Sequence, residues 1–379
     1  MKNLGTMRNI FDDLFVLELA NNHWGKLERG LKIIRDFAQV VRFNGINASI
    51  KLQFRDVDSF IHKDFRHRSD IRYIQKTLAT QLSWEDLEQL TRAVREGGMT
   101  TMVTPFDEVS VDKCVEFGVE ILKIASSDIK DWFLIEKIAS TGKPVIASSG
   151  GSSLTDIDNL VEFFGKRHIP FALNHCVSMY PSEDAELELN QIDFLRDRYP
   201  GLTIGLSTHE YHDWSSSVMM AYAKGARTFE RHIDIDYEGV PVSSYCTLPE
   251  QADSWFKAFK KAQEMCGAAA SQKRQPPEKE IHYLDALVRG VYAKRDLPAG
   301  HVLADDDVYL SVPLQHGQIS CREFMRGEVL KKPVKADKPV PFLSIESPYT
   351  ADSELGKMIA RRGLAAEQQD VGPRLVSRA

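Results

Sequence analysis

The sequence predicts an α/β protein, a (β/α)8 TIM barrel followed by a small β-rich domain. Short apolar runs alternate with segments of helical periodicity over roughly 230 residues, a pattern typical of parallel strands joined by helices. Polar residues stand at the ends of these runs, and all strands of a parallel barrel open at their carboxyl ends onto one face. No G-x-G-x-x-G follows an early strand, which disfavours a dinucleotide-binding sheet.

Eight apolar runs are expected to form the barrel strands. In chain order they are residues 15–20, 45–54, 99–106, 120–126, 144–148, 169–176, 203–209 and 226–232. The clearest repeat is 203–232, where two strands flank a helical segment over 214–225 that stops at a glycine. The stretch 55–84 is rich in Arg, His and Lys and has no strand character. We interpret it as an excursion over the barrel mouth, where such segments can close over a substrate.

The last third of the chain has a different pattern, with short strands and Pro/Gly turns. We assign the barrel to residues 1–270, a polar linker containing Pro276-Pro277 to 271–284 and the β-rich domain to 285–346. The tail, 347–379, is charged and lacks a clear apolar face, so helix and disorder are both open.

The composition of the chain limits the classes of protein to which it can belong. With 379 residues, 43% of them hydrophobic, the chain can bury a large core. The five cysteines are odd in number and form no C-x-x-C, which argues for reduced thiols rather than disulfides or a zinc cage. A net charge of -6 gives no basic footprint for nucleic acid. No apolar run could span a bilayer and the start lacks a leader pattern, so we expect a cytoplasmic protein without membrane association.

Two neighbouring strands each end in a histidine, His209 and His232. In a barrel these side chains converge on one face, where they could bind a metal ion. Each could instead satisfy a backbone carbonyl, but a pair on adjacent strands favours ligands.

Other polar residues are expected inside the barrel. Lys51 and Gln53 are two apart, so both face the same side of their strand. Glu18 lies within an apolar run and needs a partner, either a lysine or a catalytic role. The predicted mouth collects Glu18, Lys51, Gln53, Thr104, Lys123, Ser126, Ser148, His175, Ser207, His209, Glu230 and His232. Lysines and hydroxyls suit a phosphate and a carboxylate, and a histidine pair suits a divalent metal.

Several short motifs, in this order, resemble the sialic acid (N-acetylneuraminate) synthase family, which includes legionaminate and pseudaminate synthases. They are L-E-L-A-N-N-H at 17–23, K-L-Q at 51–53, T-P-F at 104–106, L-K-I-A-S at 122–126, A-S-S-G at 147–150, N-H-C-V-S-M-Y-P at 174–181, G-L-S-T-H at 205–209 and E-R-H at 230–232. The segment V-Y-A-K-R-D-L-P-A-G at 291–300 resembles the family's SAF domain, which is antifreeze-protein-like and β-clip-like.

The resemblance implies condensation of phosphoenolpyruvate with an open-chain aldose, releasing phosphate and yielding a 3-deoxy-2-keto sugar acid. It implies Mn²⁺ or Mg²⁺ bound by His209 and His232, and a domain-swapped homodimer. It assigns phosphoenolpyruvate binding to Lys51, Thr104, Lys123, Ser126, Ser148 and Ser207. It assigns catalysis to Glu18, Lys51, Gln53 and Glu230, and sugar contacts to Gln53 and Tyr180.

The chain departs from the family pattern on the acceptor side. Ser178 replaces an asparagine, Asp128 a glutamate, and residues 240–244 a G-P-D-H-like segment. Val312 stands where the family has an arginine that meets the N-acetyl group, so we expect an acceptor other than N-acetylmannosamine. Arg289, Arg322 or Arg326 could substitute for that arginine.

Two other functions stay open from the sequence. A barrel aldolase would use Lys51 or Lys123 as a Schiff base. A synthase homologue that has lost catalysis would bind carbohydrate only.

Overall fold

The computed structural model describes residues 9–68, 70–267, 272–285, 287–324, 326–346 and 353–364. The chain divides into two compact units, Met1–Gly267 and Ala268–Ala379. In the described residues, no helix is long and apolar enough to cross a membrane.

The first unit is a closed parallel barrel, which confirms the predicted fold class. Its eight strands pair in chain order, and β8 closes onto β1. They are β1 (Leu14–Ala20), β2 (Ala48–Phe54), β3 (Thr100–Pro105), β4 (Ile121–Ile124), β5 (Val145–Ser148), β6 (Phe171–Cys176), β7 (Thr203–Ser207) and β8 (Thr228–His232).

Helices surround the barrel and fill the excursion after β2. They are α1 (Leu27–Asn44), α2 (Val57–Phe60), α3 (Arg72–Ala79), α4 (Trp84–Glu96), α5 (Glu108–Glu116), α6 (Trp132–Ser140), α7 (Leu154–Lys166), α8 (Asn190–Arg198), α9 (Ser216–Ala223) and α10 (Pro249–Cys266). Local sequence sets several of their ends. Ser83, Asp107 and Ser153 accept backbone N–H groups at the starts of α4, α5 and α7, and Gly45 ends α1 with a left-handed φ of 58°.

The barrel has an inner and an outer apolar core. Between strands and helices, the Phe15 ring packs against Trp255, Phe256 and Phe259. Inside the barrel, a second buried cluster comprises Phe11, Leu14, Val16, Met102, Ile121, Ile146 and Ala172. Because side chains on a strand alternate, the next inward positions toward the carboxyl ends are polar ones. This inner cluster therefore forms the floor beneath the polar residues of the mouth.

The second unit is small and rich in short strands. It contains α11 (Glu278–Asp285), β9 (Gly290–Ala293), β10 (Val308–Ser311), β11 (Val329–Leu330), β12 (Ile345–Glu346) and α12 (Ser353–Arg361). β9 pairs with β10 and β11 with β12, both antiparallel. Val291, Ile319 and Val340 are buried in its core together with Ile359 of α12.

The structure adds detail to two sequence assignments in this region. Helix α11 occupies much of the segment predicted as a polar linker, and its first turn is anchored because Pro277 O accepts N–H groups from Glu280 and Ile281. The prolines therefore precede a helix instead of marking an extended connection. In the tail, residues 353–364 are described and include a helix, whereas 347–352 and 365–379 lie outside the described residues.

Candidate active site

The predicted mouth residues form a polar layer directly above the apolar floor. Strand register places Glu18 beside Lys51 on one side and His232 on the other. Gln53 lies beside Thr104, and Ser207 beside Glu230. Each lies at or near the carboxyl end of its strand, so the barrel brings together side chains that are far apart in sequence.

Two lysines and two glutamates form the centre of this layer. Lys51 Nζ lies 2.7 Å from Glu230 Oε1 and also pairs with Glu18, while Lys123 Nζ lies 3.3 Å from Glu230 Oε2. Gln53 Nε2 donates to Glu18 Oε1 at 3.2 Å. The lysine partner expected as one alternative for Glu18 is thus present, and the catalytic role of Glu18 stays a prediction.

Burial and charge act against each other in this cluster. Burial alone would raise the pKa of Glu230, but the charges of Lys123 and Lys51 outweigh it and hold that pKa well below its usual range. Burial lowers the pKa of Lys51 to about 7, although Glu230 opposes the shift. Glu230 is therefore the fixed anion between two ammonium groups.

Hydroxyl groups extend the cluster toward β5 and β7. Lys123 Nζ donates to Ser148 Oγ at 2.7 Å, and Ser207 Oγ donates to Glu230 Oε1 at 3.2 Å. The buried Thr104 Oγ1 has no hydrogen-bond partner among the described residues. Such an orphaned buried oxygen is uncommon and is typical of a site that binds a ligand.

Ser126 lies at the edge of the layer, where the chain turns after β4. Its Oγ accepts the backbone N–H of Gly150 at 3.1 Å. A Cβ at residue 150 would overlap the Ser178 hydroxyl and approach Ser126 Oγ to 2.8 Å. Glycine is needed here so that this backbone N–H can lie close to both serines.

His209 and His232 face each other with ring centroids 5.4 Å apart. His209 Nδ1–H donates to Val177 O at 2.9 Å, which leaves the Nε2 lone pair free for a metal. Burial lowers the pKa of His209 to about 4 and that of His232 well below its usual value, so both rings are neutral. Tyr180 lies 4.0 Å from His209 and Tyr245 lies 5.2 Å from His232, between ring centroids.

This donor pair fits a divalent metal whose other ligands come from substrate or water. Within the described residues, no three His, Cys, Asp or Glu side chains are arranged to hold an ion. Neutral imidazole suits first-row transition metals, whereas Mg²⁺ prefers oxygen ligands, so the pair fits Mn²⁺ better than Mg²⁺. His175 is different, because its Nε2–H donates to Leu187 O at 2.8 Å and holds a loop.

A buried ion pair that the sequence analysis missed supports the two histidines. Arg231 Nη1 lies 2.5 Å from Glu210 Oε1, and Arg231 Nη2 donates to Glu210 O at 2.6 Å. Glu210 also accepts the hydroxyls of Thr208 and Ser217. Each partner is the chain neighbour of a histidine, so the pair fixes both strand ends. A charged residue follows His209 and another precedes His232, and this feature of the sequence could have predicted the ion pair.

A cleft lies beside this layer, between the ends of the first two strands and the excursion. It is lined by residues that include Asn21, His23, Gln53, Arg55, Thr77 and Thr80. It meets the polar layer at Gln53. The excursion therefore lies at the barrel mouth, and its His62, His67 and Arg68 are exposed.

Comparison with known proteins identifies the family. A model described as the NeuB family matches residues 43–270, and a SAF domain model matches residues 288–346. The chain belongs to the NeuB family. The NeuB match includes every predicted site residue except Glu18, which precedes it.

Solved and curated NeuB-type relatives cover most of the chain. The spore coat polysaccharide biosynthesis protein E of Chromobacterium violaceum is 37% identical, with a TM-score of 0.84, over 88% of this chain and 99% of that one. The N-acetylneuraminic acid (sialic acid) synthetase of Leptospira borgpetersenii is 26% identical, with a TM-score of 0.63, over 72% and 91%. The N,N'-diacetyllegionaminic acid synthase of Campylobacter jejuni is 24% identical over 86% and 98%.

Proposed function

We propose that this NeuB-family chain condenses phosphoenolpyruvate with an open-chain aldose, giving a 3-deoxy-2-keto sugar acid and phosphate. Relatives named as a legionaminic acid synthase and a sialic acid synthetase support a synthase of sugar acids. The observation that carries the proposal is the buried cluster in which Glu230 holds Lys51 and Lys123 beside Ser148 and Ser207. Such a set of cations and hydroxyls suits a small substrate with both a phosphate and a carboxylate.

The donor would occupy the space above this cluster. Lys51 and Lys123 would bind its anionic groups, and Ser126, Ser148, Ser207 and Thr104 would supply hydroxyl donors. Because Glu230 pairs with both lysines, it sets the distance between their ammonium groups before the donor arrives. The site is thus organised in advance for a dianionic ligand.

The acceptor aldehyde would lie between the donor and the histidine pair, with Gln53 and Tyr180 against the sugar. A divalent metal bound by His209 and His232 would polarise the aldehyde oxygen as a Lewis acid. As C3 of phosphoenolpyruvate bonds to the aldehyde carbon, the aldehyde C=O π bond opens to an alkoxide. Water adds to C2 and gives a proton to Glu18, which passes it to that alkoxide. The C2 hydroxyl gives its proton to the phosphate as the C2–O bond to phosphate breaks, so phosphate leaves and C2 becomes the ketone.

Phosphate release from phosphoenolpyruvate, measured over a panel of aldoses with Mn²⁺, tests the reaction class. We expect release with at least one aldose and its loss in Lys123→Met. Lys130→Met, an exposed lysine paired with Asp156, is the matched control and should keep full activity. If no aldose in the panel supported phosphate release while metal was shown to be bound, the result would contradict the proposal and favour a carbohydrate-binding homologue.

One observation favours the aldolase as a second candidate. The pKa of Lys51, lowered to about 7 mainly by burial, would leave part of the amine neutral and nucleophilic. Against this, Lys51 pairs with both Glu18 and Glu230. Borohydride trapping with pyruvate separates the two reactions. A covalent adduct at Lys51 or Lys123 would replace the condensation mechanism with an aldolase.

We also propose a homodimer in which the SAF domain of one subunit reaches the site of the other, as the resemblance implies. Val312 is 56% exposed. Of the three substitute arginines, Arg322 is 3.6 Å from Asp285 and Arg326 is 2.6 Å from Asp305. Arg289 is exposed and forms no ion pair with any described residue. Light scattering coupled to size exclusion tests the dimer, and a monomer mass at micromolar concentration would exclude it.

A further inference from the structure

Arg55, just beyond β2, holds a cation in the cleft without a counter-ion. Its guanidinium lies 3.7 Å from the Phe106 ring centroid, 5.8 Å from that of Phe60 and 5.9 Å from that of Tyr73. Its Nε is buried and has no hydrogen-bond partner, and it pairs with no carboxylate, among the residues that the structure describes. The aromatic rings hold the plane of the side chain, and Tyr73 also forms a hydrogen bond with it, while the donor at Nε stays unused.

The charges of two nearby acidic groups, Asp107 and Asp128, act on Arg55, but neither forms an ion pair with it among the described residues. Asp107 accepts the backbone N–H groups of Asp56 and Ser110 at 2.8 and 2.7 Å. Asp128 has one buried oxygen without a hydrogen-bond partner, and it forms no ion pair with Arg55. Burial lowers the pKa of Arg55, and Tyr73, Asp128 and Asp107 oppose that shift only in part.

The position of Arg55 in the chain would allow it to contact the end of the acceptor that is remote from the aldehyde. Lys51, Gln53 and Arg55 follow one another at intervals of two residues, so the chain places them at steps of roughly 6.6 Å from the donor cluster toward the mouth. Gln53 and Arg55 both line the cleft beside the polar layer. An open-chain sugar with its aldehyde at the donor would pass Gln53 and direct its far end to Arg55.

Helix α3 adds two more cations to this side of the mouth. Thr77 and Thr80 at its end line the cleft, whereas Arg72 and Lys76 are exposed and one helical turn apart. Burial raises the pKa of Tyr245 and of Cys246, and the charges of Arg72 and Lys76, respectively, oppose these shifts. The two cations are therefore within electrostatic range of the residues beside His232.

We propose that the acceptor aldose carries an anionic group, a phosphate or a carboxylate, at the end remote from its aldehyde, and that Arg55 binds this group. The inference rests on the proposed condensation and names its acceptor class. Arg55 supplies the planar donor pair, and Arg72 and Lys76 attract the anion toward the mouth. The resembled family has an arginine at the position of Val312 that meets the N-acetyl group. In this chain Arg55, within the barrel itself, would supply a cationic donor for an anionic group instead.

Binding can be measured without turnover, using hexose derivatives that lack the aldehyde. With phosphoenolpyruvate saturating, so that the donor site is filled, sorbitol 6-phosphate and gluconate are compared with sorbitol by calorimetry. We expect one of the two anions to bind roughly tenfold to a hundredfold more tightly than sorbitol, and the preferred one identifies the group. Equal binding of all three would overturn the inference.

Two variants test whether Arg55 is responsible. Arg55→Gln should abolish the preference for the anion while leaving sorbitol binding unchanged, and Arg55→Lys should retain part of it. Arg92→Ala, an exposed arginine on α4, should behave as the wild type. Circular dichroism and melting temperature verify folding of each variant. A preference that persists in a folded Arg55→Gln protein would refute the role of Arg55.

Failure of this inference is distinguishable from failure of the reaction. Phosphate release is measured with mannose, mannose 6-phosphate and mannuronate. Release that is equally efficient with all three would retain the condensation and reject the anionic acceptor. An Arg55-dependent preference for the anionic derivative, without phosphate release from any aldose, would reject the condensation and retain the anion site.

Discussion

The buried pair between Arg231 and Glu210 gives a quantitative prediction about stability. The side chains of Arg231 and Glu210 are 0% and 1% exposed. Arg231→Met keeps much of the volume but removes the hydrogen bonds to Glu210 and to Thr247 Oγ1, the latter at 3.1 Å. It leaves a buried carboxylate without its cation, and breaking such a pair from one side costs about 3–5 kcal/mol.

That cost converts to a shift in melting temperature. The first unit comprises residues 1–267, and an unfolding entropy of about 2.1 cal/mol/K per residue gives about 0.56 kcal/mol/K. We therefore expect a decrease of about 5–9 °C, measured by calorimetry or by circular dichroism. Urea unfolding gives an independent value of the free-energy difference.

A surface pair provides the matched control. Arg198 binds Asp158 through Nε at 2.8 Å and Nη2 at 2.6 Å, but their side chains are 39% and 37% exposed. Arg198→Met should cost no more than about 1 kcal/mol, because exposed ion pairs contribute little. If Arg231→Met were no more destabilising than Arg198→Met, the assignment of a buried supporting pair would be wrong.

Three further predictions concern the site and the thiols. His209→Ala should remove Mn²⁺-dependent phosphate release and weaken Mn²⁺ binding measured by electron paramagnetic resonance; unchanged binding would exclude the metal role. Gly150→Ala should raise KM for phosphoenolpyruvate because the new Cβ overlaps Ser178, and adding Ser178→Ala should restore part of the loss; an unaltered KM in the single variant would contradict this. Cys266 and Cys321 are exposed and should react rapidly with Ellman's reagent, whereas the other three cysteines are buried and should react only on unfolding, so more than two fast thiols would be inconsistent with the structure.

The sequence could predict the barrel and the composition of the polar layer because both follow from alternation along strands. In β1, Leu14 and Val16 fill the floor, so the next inward position is Glu18. The same two-residue step leads from Ile121 to Lys123 and from Ile146 to Ser148. Strand ends and the order of the strands then bring these residues together without further information.

The partners in ion pairs between distant parts of the sequence could not be predicted in the same way. Arg231 and Glu210 are 21 positions apart, and Arg29 pairs with Asp234 over 205 positions. Alternation gives the face of a strand but not the side chain opposite. The role of Arg55 could not be predicted for a related reason. Its environment depends on three rings, Phe106 just after β3 and Phe60 and Tyr73 of the excursion. Helix α11 was missed because a proline pair indicates a helix start as well as a linker.

The charge balance of the polar layer bears on two proposed features, the metal ion at the histidine pair and the anion site at Arg55. Lys51 and Lys123 face Glu18 and Glu230, so the layer is neutral before any substrate binds. The proposed donor, phosphoenolpyruvate, would bring uncompensated negative charge into a buried space, and such charge is costly without a partner. The neutral histidine pair is the part of the layer whose chemistry suits an added divalent cation. If the acceptor also carries an anion, that second charge must be bound beyond the neutral layer, and Arg55 is the cation that the barrel mouth provides for it.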